Sequence, residues 1–308
     1  MNPAVFTHAA CLGHDTGPGH PESSQRLGAV VQALRDALPD LDWREAPRAS
    51  RGQLLRVHDE QLLEAILERA PATQVHLDPD TVLSPVSGEA ALRAAGAGVA
   101  AVDAVMQGNV VTAFCAVRPP GHHATGGQAM GFCLFNNVAV AAAHAIGQHG
   151  LTRVAIVDFD VHHGNGTQAI FEADARVLYM SSHQIGLFPH SGGRRERGVG
   201  NIVNMPLPPG TGSRMFQEAW VERMLPELEA FRPQLVLVSA GFDAHWRDPL
   251  AQMELSADDF AWLTGELRAI AGQHAAGRVV STLEGGYDLQ ALRECAVAHV
   301  RALRDVPR

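Results

Sequence analysis

A chain of 308 residues with 24 arginines, no lysine and 33 acidic residues carries a formal net charge of −9. The absence of lysine excludes a P-loop lysine, a Schiff-base lysine and any other lysine-dependent chemistry, and the acidic balance argues against a broad nucleic-acid surface. With 46% hydrophobic and 19% charged residues, the composition is globular rather than disordered.

The N-terminus, MNPAVFTHAACLGHDTG, has no basic segment followed by an apolar run, so no signal peptide is expected. No run of about 18 apolar residues predicts a membrane span. Helices are expected at 22–38 and 59–69, and then at 88–107. From there short β-branched runs alternate with alanine- and leucine-rich stretches. Strands are expected at 110–117, 153–159, 177–181, 235–239 and 278–283, and helices at 136–148, 213–230, 257–273 and 289–303. The strands are continuously apolar, as burial on both faces of a parallel sheet demands. Ser256 and Asp288 stand where helix N-caps belong. This alternation predicts an α/β fold, a doubly wound and mostly parallel sheet flanked by helices. No repeat or composition shift divides the chain, so one domain over 1–308 is expected. Cys11, Cys115, Cys133 and Cys295 form no C-x-x-C pair and read as buried free thiols in a reducing compartment. A soluble, cytoplasmic protein is expected.

Polar clusters follow each strand: RPPGHH after the first, DVHHGNG after the second, SSHQ after the third, AGFDAH after the fourth and EGGYD after the fifth. In open α/β sheets the carboxyl ends of the strands form the ligand crevice. Five loops rich in His, Asp and Gly are therefore expected on one rim.

Asp158, Asp160 and His162 are spaced two apart at a strand end and so share a face. Asp160 and His162 offer an oxygen and a nitrogen to one point, and Asp243, from another strand end, supplies a third ligand. Three protein ligands and an open fourth position are the catalytic arrangement of zinc. For an isolated D-x-H the simpler reading is a loop cap beside a satisfied histidine; Asp243 and the neighbouring histidines favour the metal. The GxGxxA match at Gly164–Ala169 fits a dinucleotide loop poorly, because Asp160–His163 separate it from the strand end and the next strand ends in SSHQ without a carboxylate. Adjacent side chains diverge in extended backbone, so His122 and His123 are expected to flank the site, one as a base and the other charged. Tyr287 follows two glycines and can donate to a developing oxyanion. His20-Pro21-Glu22 and the loop 84–87 are candidate rim elements. The other histidines, among them His58, His144, His149 and His299, are expected to lack partners, and the run 194–197 to be a solvated loop.

In order and spacing, His20-Pro21-Glu22, RPPGHHA, GFCLFN, DFDVHHGNGT, SAGFDAH-x-x-DPL and LEGGYDL resemble the arginase/histone-deacetylase superfamily, and within it the class II-like deacetylases, over nearly the whole chain. The resemblance implies the arginase/deacetylase fold and a Zn²⁺ held by Asp160, His162 and Asp243. It implies His123 as general base and acid, His122 as its partner coupled to Asp158, Asn165 opposite His123, and Tyr287 as the catalytic tyrosine. A structural K⁺ is implied at Asp158, Asp160, His162, Ser181 and Ser182. Phe132 and Phe188 match the walls of an acyl-lysine channel, with Gly131 admitting the alkyl stem.

Two departures choose among relatives. Gly164 stands where arginases place a second manganese ligand, which disfavours a two-metal ureohydrolase. Leu250 follows Asp248-Pro249 where acetylpolyamine-selective relatives commonly carry a gatekeeper Glu, which favours an acylated lysine peptide or protein over an acylpolyamine. The competing expectations are a small-molecule amide or acylpolyamine hydrolase, and a metal-holding acyl-lysine reader without turnover. No nucleic-acid or membrane partner is expected, and a homo-oligomer stays open.

Overall fold

The computed structural model describes residues 2–68 and 71–304. Ten strands occur among them: β1 (Ala4–Thr7), β2 (Asp42–Glu45), β3 (Val75–His76), β4 (Val82–Leu83), β5 (Thr112–Cys115), β6 (Val154–Asp158), β7 (Val177–Gln184), β8 (Ile202–Leu207), β9 (Leu235–Ala240) and β10 (Val279–Leu283). β3 and β4 form a small antiparallel pair. The other eight make one parallel sheet in the order β2-β1-β5-β10-β9-β6-β7-β8.

The five apolar runs expected as strands lie in β5, β6, β7, β9 and β10, and every residue of these strands is buried. Three strands of the sheet escape the sequence reading, for different reasons. β1 is only four residues long. β2, an edge strand of sequence DWRE, is partly exposed and carries no apolar run. β8 contains Pro206, which cannot donate to a ladder and is tolerated because β8 is the opposite edge.

Helices flank the sheet in two groups. Ser87–Met106 packs on Asn137–His149; Ala257–His274 and Leu289–Leu303 pack on each other, and Leu289–Leu303 also meets Ser24–Ala37. Asp288 caps its helix by accepting the Ala291 N–H at 2.7 Å. At Ser256 it is the Asp259 carboxylate that accepts the Ser256 N–H at 2.9 Å. The stretch expected as one helix at 213–230 is two, Ser213–Ala219 and Leu225–Phe231, joined by a π-helical turn, Trp220–Met224. Pro226 is the second residue of the second piece and has no N–H for a regular bond back into that turn. The expected 59–69 helix is likewise Glu60–Leu63 followed by a π turn, Glu64–Glu68. Arg69 lies outside the described residues.

The chain builds β1, β2 and β5, skips two places to β6, runs outward through β7 and β8, and returns to insert β9 and β10 at the centre. Register aligns the strand ends: Asp158 is level with Ser181 and Ser239, Ala240 with Leu283, and Thr282 with Cys115. The loops that leave these positions converge on one edge. No helix among the described residues is long and apolar enough to cross a membrane.

Candidate active site

The loop after β6 carries Asp160 and His162, and the loop after β9 carries Asp243. His162 Nδ1 lies 3.1 Å from Asp160 Oδ1 and 3.1 Å from Asp243 Oδ2. The remaining carboxylate oxygens are pinned by backbone: Asp160 Oδ2 accepts the Gly285 N–H at 2.8 Å, and Asp243 Oδ1 accepts the Val161 N–H at 2.8 Å. A Cβ at Gly241 would fall 2.1 Å from Asp160 Oδ2, and one at Gly285 2.1 Å from Asp243 Oδ2. Glycine at both positions lets the loops after β9 and β10 close around the carboxylates.

Both carboxylates and the imidazole are largely removed from water, and the electrostatics follow. Burial and the adjacent Asp160 push Asp243 up to about 6. Burial opposes ionisation of Asp160, but His122 and His162 hold it well below the usual carboxylate range. Burial likewise opposes charge on His162, yet its two carboxylate partners push it up to about 10. Two oxygens and one nitrogen, all within 4.8 Å of one another, are a donor set that suits Zn²⁺ with a coordination position left open.

His122 and His123 sit in a turn rather than in extended backbone, so their rings do not diverge as expected. The centroids are 4.0 Å apart and both rings are buried. Each Nδ1 has its own partner: His122 Nδ1 donates to Asp158 Oδ2 at 2.9 Å, and His123 Nδ1 donates to Asn165 Oδ1 at 2.8 Å. Burial disfavours charge on both rings. For His122 the Asp158 and Asp160 carboxylates reverse that and raise it well above an ordinary histidine. For His123 the charges of His122 and His162 add to burial and push it well below. The two rings are thus pushed in opposite directions, His122 towards the charged form and His123 towards the neutral one. Holding Nδ1–H on Asn165 leaves the His123 Nε2 lone pair for the cleft.

That cleft, of about 390 Å³, is lined by His123, His162, Gly131, Phe132, Phe188, Leu250 and Tyr287, with His20, Pro21, Leu187, Pro79 and Asp80 completing it. Phe188 stands edge-on to His123 at 4.9 Å, and Phe132 edge-on to Tyr287 at 5.9 Å. Gly131 has φ +56°, and a Cβ there would lie 2.5 Å from His123 Cδ2 and 2.8 Å from Phe188. A side chain at this position would block the channel. Asp248 ties two lining residues together, accepting the Tyr287 N–H at 2.7 Å on Oδ2 and the Leu250 N–H at 3.0 Å on Oδ1.

Several contributors have no local signature in the sequence. Tyr179, inside β7, donates its hydroxyl to Asp158 Oδ2 at 3.0 Å. Glu284 accepts the N–H groups of Gly121 at 2.6 Å and His122 at 3.2 Å, fixing the histidine turn from below. Arg26 donates to the carbonyls of Gly286 at 2.6 Å and Glu284 at 2.5 Å, and its guanidinium lies 4.9 Å from the centre of the Tyr287 ring. Glu22 holds Arg26 and Arg118 in a fully buried ion network. Only the spacing of Glu22 and Arg26, one helical turn apart, was there to be read. His20 and Pro21 do line the cleft, but Ser84 and Ser87 bond to each other, and Ser87 to His14, away from it. Four of the histidines expected to lack partners have them, whereas the buried His274 Nε2 has no hydrogen-bond partner. His299 is held by Thr264 and Ser281, His58 by Thr125 and Asn136, and His144 and His149 by Asp103. These partners come from other elements, which the local sequence does not reveal. In the run 194–197, Glu196 is tied to Gln168 and to the N–H of Gly193.

Ser181 is level with Asp158, but β7 continues to Gln184, so Ser181 and Ser182 lie within the strand rather than after it. Ser182 Oγ is buried without a hydrogen-bond partner. His183 Nε2 is 3.0 Å from the Gly192 carbonyl and so carries its proton; the Ser181 hydroxyl therefore donates to His183 Nδ1 at 2.9 Å and keeps its lone pairs free. At Gly164 a Cβ would lie 2.3 Å from Asp158 Oδ2 and 2.5 Å from Tyr179 Oη. No second metal ligand fits at that position.

The sequence and the fold have known counterparts. Residues 20–303 match the family model described as the histone deacetylase domain. The chain is 41% identical to the "Histone deacetylase-like amidohydrolase" of Pseudomonas aeruginosa over 98% of this chain and 86% of that one. It is 39% identical to the human "Polyamine deacetylase HDAC10", over 93% of this chain and 45% of that one. The solved HDA15 HD domain superposes with a TM-score of 0.92 at 34% identity, covering 98% of this chain and 88% of that one. The chain belongs to the histone deacetylase family, with its doubly wound α/β fold and deacetylase or amidohydrolase chemistry.

Proposed function

We propose that this protein is a zinc-dependent hydrolase that removes acetyl, or another short acyl group, from lysine side chains. The observation that carries the reading is the meeting of Asp160, His162 and Asp243 at a cleft whose walls are Phe132 and Phe188 and which also holds His123 and Tyr287. When bound there, zinc would supply Lewis acidity, polarising the amide carbonyl and acidifying water. The chain's own groups do the rest. Phe132, Phe188 and Gly131 align the apolar alkyl stem and exclude bulk water, which strengthens every charge interaction inside. His123 Nε2 takes the proton of the attacking water, with Nδ1 held by Asn165. Tyr287 donates its hydroxyl to the oxygen that becomes negative. His122, kept charged by Asp158, stabilises that negative charge from behind and lowers the basicity of His123, so that His123 Nε2–H gives the proton it took from water to the leaving amine.

A structural potassium ion beside Asp158 belongs to the same reading, held by Asp158, Asp160, His162, Ser181 and Ser182. The unpartnered Ser182 Oγ and the free lone pairs of Ser181 support it. The four buried thiols fit a reducing, cytoplasmic setting.

The purified enzyme should contain one catalytic zinc and hydrolyse acetyl-lysine peptides, lose activity to a chelator, regain it with zinc, and slow when lithium replaces potassium. Hydrolysis untouched by exhaustive chelation would refute the zinc reading, and indifference to potassium the second ion. An acylpolyamine substrate is the second reading, favoured by Asp80, an exposed carboxylate in the cleft wall that suits a distal ammonium. Leu250 opposes it, since an apolar side chain in the same wall leaves a cation unpaired. Leu250→Glu is therefore expected to raise the ratio of kcat/KM for acetylpolyamine over acetyl-lysine peptide by roughly tenfold, the worth of one partly desolvated ion pair. An unchanged ratio would remove Leu250 as the selector.

A further inference from the structure

The second group of converging donors lies far from the cleft. Asp103 is in the last turn of the helix Ser87–Met106, and His144 and His149 are in the neighbouring helix Asn137–His149. These helices lead into β5 and β6, so their C-terminal ends lie at the amino edge of the sheet, opposite the active site. Both imidazoles point Nε2 at one atom: His144 Nε2 and His149 Nε2 are each 2.7 Å from Asp103 Oδ1. Their rings are nearly perpendicular, at 78°, with centroids 5.6 Å apart. His144 is buried, His149 half-buried, and Asp103 opens to solvent with a side chain 37% exposed, so an ion has a path in.

We propose that Asp103, His144 and His149 form a second metal site, for a late first-row divalent ion such as Zn²⁺ or Cu²⁺, that clamps the ends of the two helices. Two imidazoles and a carboxylate are the donors these ions prefer, and the three ligand atoms lie within 4.8 Å of one another. Loading would bring all three to ordinary bond lengths of about 2.0–2.1 Å. The setting favours a cation independently of the ligands, because both helices direct the negative ends of their dipoles here.

The tautomers say what loading requires. Arg56 is exposed, and its Nη1 lies 3.0 Å from His144 Nδ1. A guanidinium only donates, so His144 Nδ1 is an acceptor and the ring proton sits on Nε2, facing Asp103. Coordination through Nε2 moves that proton to Nδ1 and displaces Arg56. A glutamine at position 56 would instead accept the Nδ1–H, the second-layer bond that metal-binding histidines use.

The test titrates Zn²⁺ into the folded enzyme and counts bound metal per chain, with a parallel Cu²⁺ sample read by electron paramagnetic resonance. Wild type should hold one equivalent more than His149→Gln or Asp103→Asn, with both variants keeping wild-type deacetylase turnover. The extra copper should couple to two imidazole nitrogens, whereas the catalytic triad offers one. Arg56→Gln should tighten the extra equivalent roughly tenfold. Equal zinc counts in wild type and both variants, single-nitrogen coupling throughout, or weaker binding in Arg56→Gln would overturn the site. Because the readout is a difference between variants, it stands apart from the count at Asp160, His162 and Asp243.

Discussion

His123→Ala should lower kcat by roughly 10²–10⁴, the contribution of a positioned general base, while the metal content stays at the wild-type level. The separation follows from the geometry. His123 is none of the three donors, and its one hydrogen bond in the site goes to Asn165, not to Asp160, His162 or Asp243. Removing the ring therefore leaves the cradle pinned by Gly285 and Val161. His122 cannot take over, because its Nδ1 is committed to Asp158 and its charge is held by two carboxylates. Steady-state turnover of an acetyl-lysine peptide, with metal analysis on the same sample, checks both halves. A variant with more than about a tenth of wild-type kcat would take the base assignment from His123.

Tyr287→Phe is expected to reduce kcat by roughly 10²–10³, as loss of one oxyanion donor does elsewhere, with KM little changed. The ring has structural work that phenylalanine can continue: it packs edge-on against Phe132 and under the Arg26 guanidinium, and its backbone N–H stays on Asp248. Only the hydroxyl is lost, so the effect isolates the transition-state interaction. Burial pushes that hydroxyl's pKa well above an ordinary tyrosine, with Asp243 and Asp160 adding to it against Arg26, so it acts as a donor and not as a phenolate. A loss of less than tenfold, or a rise in KM that accounts for it, would show that the hydroxyl binds substrate rather than stabilising the transition state.

The parts of the molecule readable from the sequence are those where one physical cause acts over consecutive residues. β6, β7, β9 and β10 each contain an apolar run because both faces are buried. β2 and β8 lie at edges, where charge and proline are permitted, and so carry no such pattern. The site divides the same way. Asp160 and His162 stand two apart at a strand end and could be placed at once; Asp243 followed from the rule that strand ends share a rim. Glu284 supports the His122 turn from 162 residues away, and Arg26 reaches the Tyr287 loop across 260. A long-range hydrogen bond leaves no periodicity behind. The rings of the adjacent histidines do not diverge because Pro119, Pro120 and Gly121 lead into a turn rather than extended backbone, and that turn is not evident from two neighbouring histidines alone.

One carboxylate, that of Asp248, holds both the residue assigned to the oxyanion and the residue assigned to substrate choice. On these assignments, selectivity and speed share a hinge point. A substitution at position 250 that drags its own backbone will also shift the tyrosine, so variants with altered preference should tend to be slower on every substrate. Recovering their rate would then call for compensating changes in the 248–250 loop rather than in the channel walls.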